Sequence, residues 1–470
     1  MTIGKLPDKV LLEIFRYHLD AFPRLWPRLV HICRRWRRIV LSFQRTLDLR
    51  LFCTHGISVL KALDYWPTQP IVVNFGGSSA FDPPAPEDED NITAALKKSA
   101  RVVSITIAVT SSLLGKLSAI EGPFSKLENL VLMSRLGDSV QLTLPSSFRC
   151  GPRLRRLHLT GIVFPALLQC ISSSRNLVDL QLHPLEIFHT KEGLLGELSP
   201  EVFANALSGT PQLQSLSLHF PSATYAIYPR YRVGERVLLP ALSRLSLRGI
   251  SGNLDGFVAR IDTPGLRDIK ITFLDERIFD VPKLRHFIDR LEIQKSHRQA
   301  DILSSKRGIS ISLTQPGDTS CLSLHVLCKK LFWQPFIMAH LCTYLSAFLL
   351  RVEDLRINTT RRSSRQDDPD RNREQWFGIF REFGSVKWFH AGGGYSTSVV
   401  RALQLSDERC EPVLPTLRKL CIQEPEPRPS PLREAIVSFI HSCWLSGRFI
   451  AVAFENLSNG GLPRTGITYA

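Results

Sequence analysis

Several absences narrow the chemistry of this chain. Its ten cysteines include no C-x-x-C pair, so the usual zinc-ligand spacing is missing. They are scattered through apolar segments, the pattern of reduced, buried thiols. No run of about eighteen apolar residues occurs, so no membrane-spanning helix is expected. The opening Met1-Thr2-Ile3-Gly4-Lys5-Leu6-Pro7-Asp8 has no secretory apolar core, and Asp8 and Glu13 argue against a transit peptide. A cytoplasmic or nuclear location is therefore expected. Catalytic signatures are missing as well. Neither His-Glu-x-x-His nor Gly-x-Ser-x-Gly occurs, and a phosphate loop requires more than Gly115-Lys116 or Gly392-Gly393-Gly394 supplies. Histidines and carboxylates are dispersed, so spacing picks out no acid–base pair. A binding protein is expected rather than an enzyme, with no catalytic residue, metal ligand or cofactor.

What is present begins with charge. Lysine and arginine number 59 against 43 acidic residues, a net charge of +16. That balance favours acidic partners and would strengthen a nucleic-acid contact. The arginines are spread along the chain, however, so nucleic acid is not the expected primary partner. A length of 470 residues exceeds what one small core needs. It suits a small module joined to a large domain or a repeat array.

The most informative stretch is Leu6–Val40. Pro7 fits the first turn of a helix, and Asp8 favours the positive helix end. Val10, Leu11, Ile14 and Phe15 share one helical face. Pro23 and Pro27 punctuate the chain. At helical spacing Leu29, Ile32, Cys33, Trp36, Ile39 and Val40 fall on one arc. Arg34 and Arg38 lie opposite it and Arg35 and Arg37 at its margins, so the four arginines read as a solvated side. Two such helices are too small for a self-sufficient core.

Leu6-Pro7-Asp8, Val10–Phe15 and Ile32-Cys33-Arg34-Arg35-Trp36 together resemble an F-box, over about forty residues. The resemblance implies a three-helix module that docks on the Skp1 adaptor of a cullin–RING ubiquitin ligase and has no catalytic residue of its own. It implies adaptor contacts drawn from Leu6, Pro7, Val10, Leu11, Ile14, Phe15, Ile32 and Trp36, some of which instead hold the module together. The continuation through Leu47–Thr54, Leu63–Pro67 and Pro70–Val73 is similar to an F-box group abundant in mushroom-forming fungi.

Beyond the module, Leu47–Phe52 alternates like a half-buried strand, Ser58–Asp64 has helical character, and Ile71–Phe75 reads as a strand. Gly76–Ser79 and the acidic run Asp82–Asp90 read as a breaker-rich, solvated loop. Ile92–Ser99 reads as a helix and Val102–Val109 as a strand.

From about residue 125 a recurrence sets the architecture. Leu127-x-x-Leu130-x-Leu132 returns at Leu154, Leu177, Leu213 and Leu242. Leu266-x-x-Ile269-x-Ile271, Val352-x-x-Leu355-x-Ile357 and Leu417-x-x-Leu420-x-Ile422 are weaker copies. The last two apolar residues of each copy face one side of a strand, so stacked copies bury them in a continuous core. Phe164–Ser172, Glu201–Leu207 and Leu254–Ile261 have the helical spacing to return the chain. This resembles the leucine-rich repeat family in a divergent form. The expected fold class is α/β: an N-terminal three-helix F-box-like module over residues 1–50, a linker and cap over 51–124, and a divergent leucine-rich-repeat solenoid with parallel strands over 125–470.

Between about 275 and 350 the repeat blurs. Ile309–Leu313 reads as a strand, Leu322–Leu331 and Phe336–Leu350 as helices. Arg361–Glu374 reads as a mixed-charge loop, Trp376–Phe383 as a helix, Val386–His390 as a strand and Ala391–Gly394 as a flexible turn. Leu432–Trp444 is a helix candidate, and Phe449–Phe454 a final strand.

Residues between the leucines should line a concave, partner-facing surface. They include Arg156, His158, Asp179, Gln181, Ser215, Ser217, Arg244 and Ser246. The expected partners are a Skp1-like adaptor, through it a cullin, and a target protein of unknown identity, with no membrane. The alternatives are a leucine-rich-repeat scaffold without a ubiquitin role and a basic nucleic-acid-associated protein.

Overall fold

The computed structural model describes residues 3–76, 84–120, 122–134, 142–145, 148–183, 200–220, 236–274, 281–291, 297–315, 321–328, 333–359, 373–404, 413–423, 431–455 and 465–469. The acidic stretch up to residue 83, the insertion 361–372 and the proline-rich 424–430 lie outside them in whole or in part. The protein is mixed α/β, with N-terminal helices followed by long, mostly parallel sheet. It forms two compact units, one running to Ser217 and the other taking most of the chain from Leu218 onward.

In the first unit Pro7, at φ −59°, opens α1 (Asp8–Ala21). Leu11, Phe15 and Leu19 are buried at i, i+4 and i+8. After Pro23 come α2 (Trp26–Ile32) and α3 (Arg34–Ser42). The single apolar arc expected over Leu29–Val40 is thus broken into two helices. Cys33 is extended at φ −157° and ψ 167°, and its Sγ accepts the Trp36 N–H at 3.4 Å, capping α3. The break turns Ile32 out to solvent, while Ile39 and Val40 stay buried. Phe15 packs on Trp36 with ring centres 4.7 Å apart.

The sheet of this unit follows. Strands β1 (Leu51–Cys53), β2 (Ile71–Asn74), β3 (Val102–Val109) and β4 (Asn129–Ser134) pair in parallel succession. Helices α4 (Leu60–Tyr65), α5 (Pro86–Leu96) and α6 (Ser111–Ser118) supply crossovers. Two-residue strands β5 (Leu142–Thr143) and β7 (Ile162–Val163) pair with each other, while β6 (Arg156–Thr160) joins β4. Then come α7 (Leu167–Ser173), β8 (Asp179–His183) on β6, α8 (Pro200–Leu207) and β9 (Ser215–His219), of which the first unit holds the part up to Ser217.

The end of the acidic run is not a solvated loop. Asp88, Glu89 and Asn91 lie in α5 and are buried. Asn91 accepts the Val59 N–H at 2.7 Å and donates to the Ile57 carbonyl at 2.6 Å. Asp88 meets His55 Nδ1 at 3.0 Å. The acids begin the helix expected only from Ile92, and their heads satisfy polar groups that the packing would otherwise strand.

The second unit contains β10 (Val237–Leu238), β11 (Arg244–Gly249), α9 (Ser251–Val258), β12 (Ile261–Asp262), β13 (Asp268–Leu274) and α10 (Pro282–Asp289). Next are β14 (Gln299–Ser305), β15 (Gly308–Thr314) and β16 (Cys321–Leu327). After α11 (Gln334–Tyr344) and α12 (Ser346–Leu349) come β17 (Asp354–Thr359), α13 (Arg373–Arg381), β18 (Trp388–Gly392) and α14 (Ser396–Ala402). The chain continues through β19 (Lys419–Gln423), α15 (Pro431–Leu445), β20 (Ala451–Glu455) and β21 (Thr465–Tyr469). The sheet order is β11-β13-β16-β15-β14-β17-β18-β19-β20-β21.

Two differences from expectation fall here. Leu322–Leu331 does not begin as a helix: Leu322, Leu324 and Val326 point inward from β16 while Ser323 and His325 point out, a period of two. The blurred region is a meander, with β15 antiparallel to both neighbours. The sequence therefore lacks the recurrence because the chain there does not advance one parallel strand at a time. Likewise β20 is not the final strand, since β21 pairs antiparallel with it.

Elsewhere each copy repeats one hydrogen-bond arrangement. The Glu128 carbonyl accepts from Arg155 and Arg156 N–H, and the Arg155 carbonyl from Val178 and Asp179. In the second unit Glu353 accepts from Lys387 and Trp388, and Lys387 from Arg418 and Lys419. Val386, Phe389 and Ala391 are buried at the same spacing, one copy more than the leucines reveal. Fifteen leucines of the five clear copies are each at most 2% exposed. Burial on this scale, at about 25 cal/mol per Å² of apolar surface, is the main force holding the sheet and helix layers together.

Candidate functional site

Two surfaces are candidates. The first lies on the N-terminal helices. Of the eight residues proposed to touch an adaptor, Leu11 and Phe15 are buried inside the chain. Leu6 and Trp36 are half-buried, and Pro7, Val10, Ile14 and Ile32 are exposed. Val10 and Ile14 are 43% and 39% exposed, and Tyr17, one turn further, is 82% exposed. So α1 has apolar side chains on two sides: Leu11, Phe15 and Leu19 face the core, while Val10, Ile14 and Tyr17 face solvent. Tyr17 is not among the residues expected from the sequence; its spacing after Val10 and Ile14 is the signal that points to it.

The arginines are not simply solvated. Arg35 Nε donates to Asp8 Oδ1 at 2.8 Å, and its Nη2 donates to the Leu6 carbonyl. Arg37 donates to the Val30 carbonyl at 2.8 Å. These three bonds cross the breaks between helices, which a strip of periodicity cannot show.

The second surface is the polar face of the sheets. In the first unit, Asp179 gathers four of the predicted residues. Its Oδ2 is 2.8 Å from His158 Nε2 and 3.5 Å from Arg156 Nε, and its Oδ1 accepts from Gln181 at 3.4 Å. Ser215 also bonds it. Burial pushes the Asp179 carboxyl up, but His158 with these donors brings it below the usual carboxylate range. Ser217 bonds His183 at 2.8 Å. Arg244 and Ser246 belong to β11 of the second unit.

That unit carries a cluster the sequence reading missed. Asp354 accepts from Arg356 at 3.0 Å and lies 3.5 Å from His390 Nε2, and Gln299 donates to Asp301 at 3.0 Å. Burial raises the Asp301 carboxyl, partly offset by Arg356. Trp388 stands beside Asp354 and is 43% exposed. The alternation around Val352-x-x-Leu355-x-Ile357 was the signal that could have placed Asp354 and Arg356 on this face.

Among the described residues, no group of three His, Cys, Asp or Glu is placed to hold a metal ion. None of the described helices is long and apolar enough to cross a membrane. Comparison with family models and with curated proteins gives no match. The functional reading rests on the surfaces themselves.

Proposed function

We propose that the chain is the substrate-recognition subunit of a Skp1–cullin–F-box ubiquitin ligase. In this reading α1–α3 are the F-box and bind a Skp1-like adaptor, which brings a cullin. The sheets form a divergent leucine-rich-repeat solenoid whose polar face holds a target protein. The chain performs no chemistry. It raises the effective concentration of a target lysine near a charged ubiquitin carrier.

The observation that carries the reading is the outward apolar row Val10, Ile14 and Tyr17 on a helix whose opposite side already fills the core. Exposed apolar side chains in a contiguous row mark an interaction site, and here they coincide with the Leu-Pro-Asp motif that resembles an F-box.

The test is direct binding of the purified full chain to recombinant Skp1. Binding at micromolar Kd or tighter, about −8 kcal/mol, should be lost in a folded Val10→Asp/Ile14→Asp variant. Absence of binding by the folded wild type removes the ligase assignment and leaves a repeat scaffold.

A further inference from the structure

The polar face of the second unit carries its charges unevenly. On β11 the outward residues are Arg244, Ser246 and Arg248; on β13, Asp268 and Lys270, with Thr272 buried on the same side; on β16, Cys321, Ser323 and His325. Cross-strand register sets Arg244 beside Asp268, Ser246 beside Lys270 and Arg248 beside Thr272, with Lys270 then beside Ser323 and Thr272 beside His325. Three permanent cations therefore share this strip with one carboxylate. Arg244 and Lys270 are both exposed. Asp268 stands beside Arg244 in register and two residues before Lys270; its carboxyl is raised by burial and drawn back by Arg244 and Lys270, yet among the described residues no ion pair within 4 Å joins it to either.

The first unit differs. There Arg156 and His158 already converge on Asp179, so that part of the predicted target face is satisfied from within. On β11 and β13, Arg244 and Lys270 instead stand exposed beside a single carboxylate, Asp268. Burial, with Lys270 and Arg248 nearby, holds the His325 imidazole below the usual histidine range. It is neutral at pH 7 and can still donate or accept one hydrogen bond.

We infer that the β11–β13–β16 strip is a docking site for an acidic, extended segment of a protein partner, with its carboxylates on Arg244 and Lys270. The inference rests on the target-receptor reading only in taking the sheet face as the place of capture. Three strands span roughly 10 Å at about 4.8 Å spacing, which three or four extended residues at about 3.3 Å each cover. A nucleic-acid backbone suits the surface less well. Beyond the strip, Asp301 and Asp354 stand on β14 and β17 of the same sheet, so a phosphate chain running on along it would meet repeated like charge. A short acidic motif needs only Arg244 and Lys270, on the neighbouring strands β11 and β13.

The test is fluorescence anisotropy of a short labelled Asp/Glu peptide titrated with the full chain, at ~150 mM salt where unspecific attraction is screened. Saturable binding is expected, weakened about tenfold or more by Arg244→Ala/Lys270→Ala and less than about twofold by Lys283→Ala/Arg285→Ala. The second pair removes the same two charges from α10, so it controls for net charge. Circular dichroism and thermal melting establish that both variants fold. Equal weakening by the two variants, or no saturable binding by the wild type, overturns the proposal. So does a labelled single-stranded oligonucleotide of equal charge that binds more tightly and depends on Arg244 and Lys270, because it would make the strip a nucleic-acid site. Skp1 binding measured on the same samples separates the two readings: its failure alone refutes the ligase assignment, and failure of the peptide alone refutes the docking strip.

Discussion

The indole rings of Trp26 and Trp66 meet edge to face with centres 4.9 Å apart, and the Trp26 N–H donates to the Arg50 carbonyl at 2.7 Å. Trp26 belongs to α2 and Trp66 ends α4, so the N-terminal helices share a core with the start of the sheet. Trp26 is 1% exposed. Trp26→Ala should cost about 3–5 kcal/mol, the range for deleting a buried aromatic ring. Urea denaturation followed by far-ultraviolet circular dichroism measures it. A midpoint unchanged by the substitution would show that the helices fold independently of the sheet.

The Arg35–Asp8 pair should matter more for geometry than for stability. It is partly exposed, with side chains 33% and 48% accessible, and such pairs contribute about 0.2–1 kcal/mol. A double-mutant cycle with Arg35→Ala and Asp8→Ala should give a coupling in that range at low salt, shrinking at high salt. Arg35 also holds the Leu6 carbonyl. In the proposed complex Arg35→Ala should therefore weaken Skp1 binding by more than its loss of stability explains. Equal effects on folding and binding would remove the positioning role.

The legible part of the fold is where one period governs a segment. The leucine copies from Leu127 to Leu247 gave strands and inward residues correctly, because a period of two needs no knowledge of distant partners. Long-range hydrogen bonds hid the rest. Nothing near Glu89 in sequence announces that Thr110, Ser112 and Lys116 will receive it, so an acidic run looked solvated. The break at Cys33 depends on a thiol acting as a cap, a residue type with little capping preference. In β16 a short apolar run fits helix or strand, and only the neighbouring β13 and β15 decide. The candidate surface was legible by face but not by energetics: Arg156, His158 and Asp179 were placed on one face without any sign that they would satisfy one another.

Glu89 supplies a pH dependence. Its carboxylate accepts from Thr110 at 2.9 Å and Ser112 at 2.8 Å, with Lys116 Nζ at 3.1 Å. Burial pushes the carboxyl up, but Ser112, Lys116 and Thr110 outweigh it, and the group titrates below the ordinary glutamate range. A group with a depressed folded pKa stabilises fully above its unfolded pKa and loses that contribution as pH falls through the folded value. Glu89→Gln leaves donors facing an amide and should cost about 1–3 kcal/mol at pH 7. The gap between variant and wild type should narrow as pH drops below the ordinary glutamate range. Urea midpoints measured from neutral to acidic pH check this, and a gap that stays constant would contradict the assigned ionisation.

Two glycines of the second unit should respond to alanine with opposite signs. Gly393 follows β18 at φ +70°, and a Cβ there would sit 2.4 Å from the Thr359 carbonyl oxygen and 2.7 Å from Thr359 Cγ2. The expected flexible turn is thus a close crossing of chain on chain, with backbone as the obstacle. Gly393→Ala should destabilise by about 1–3 kcal/mol, from the left-handed backbone and the contact together. Gly378 lies within α13, where a Cβ meets nothing within 4 Å. Gly378→Ala gains helix propensity and restricts the unfolded chain, so it should stabilise by about 0.5–1 kcal/mol. Thermal melts of both variants test the pair. If Gly393→Ala melts no lower than the wild type, the strand end after β18 has room to move, and the tight crossing at Thr359 does not constrain it.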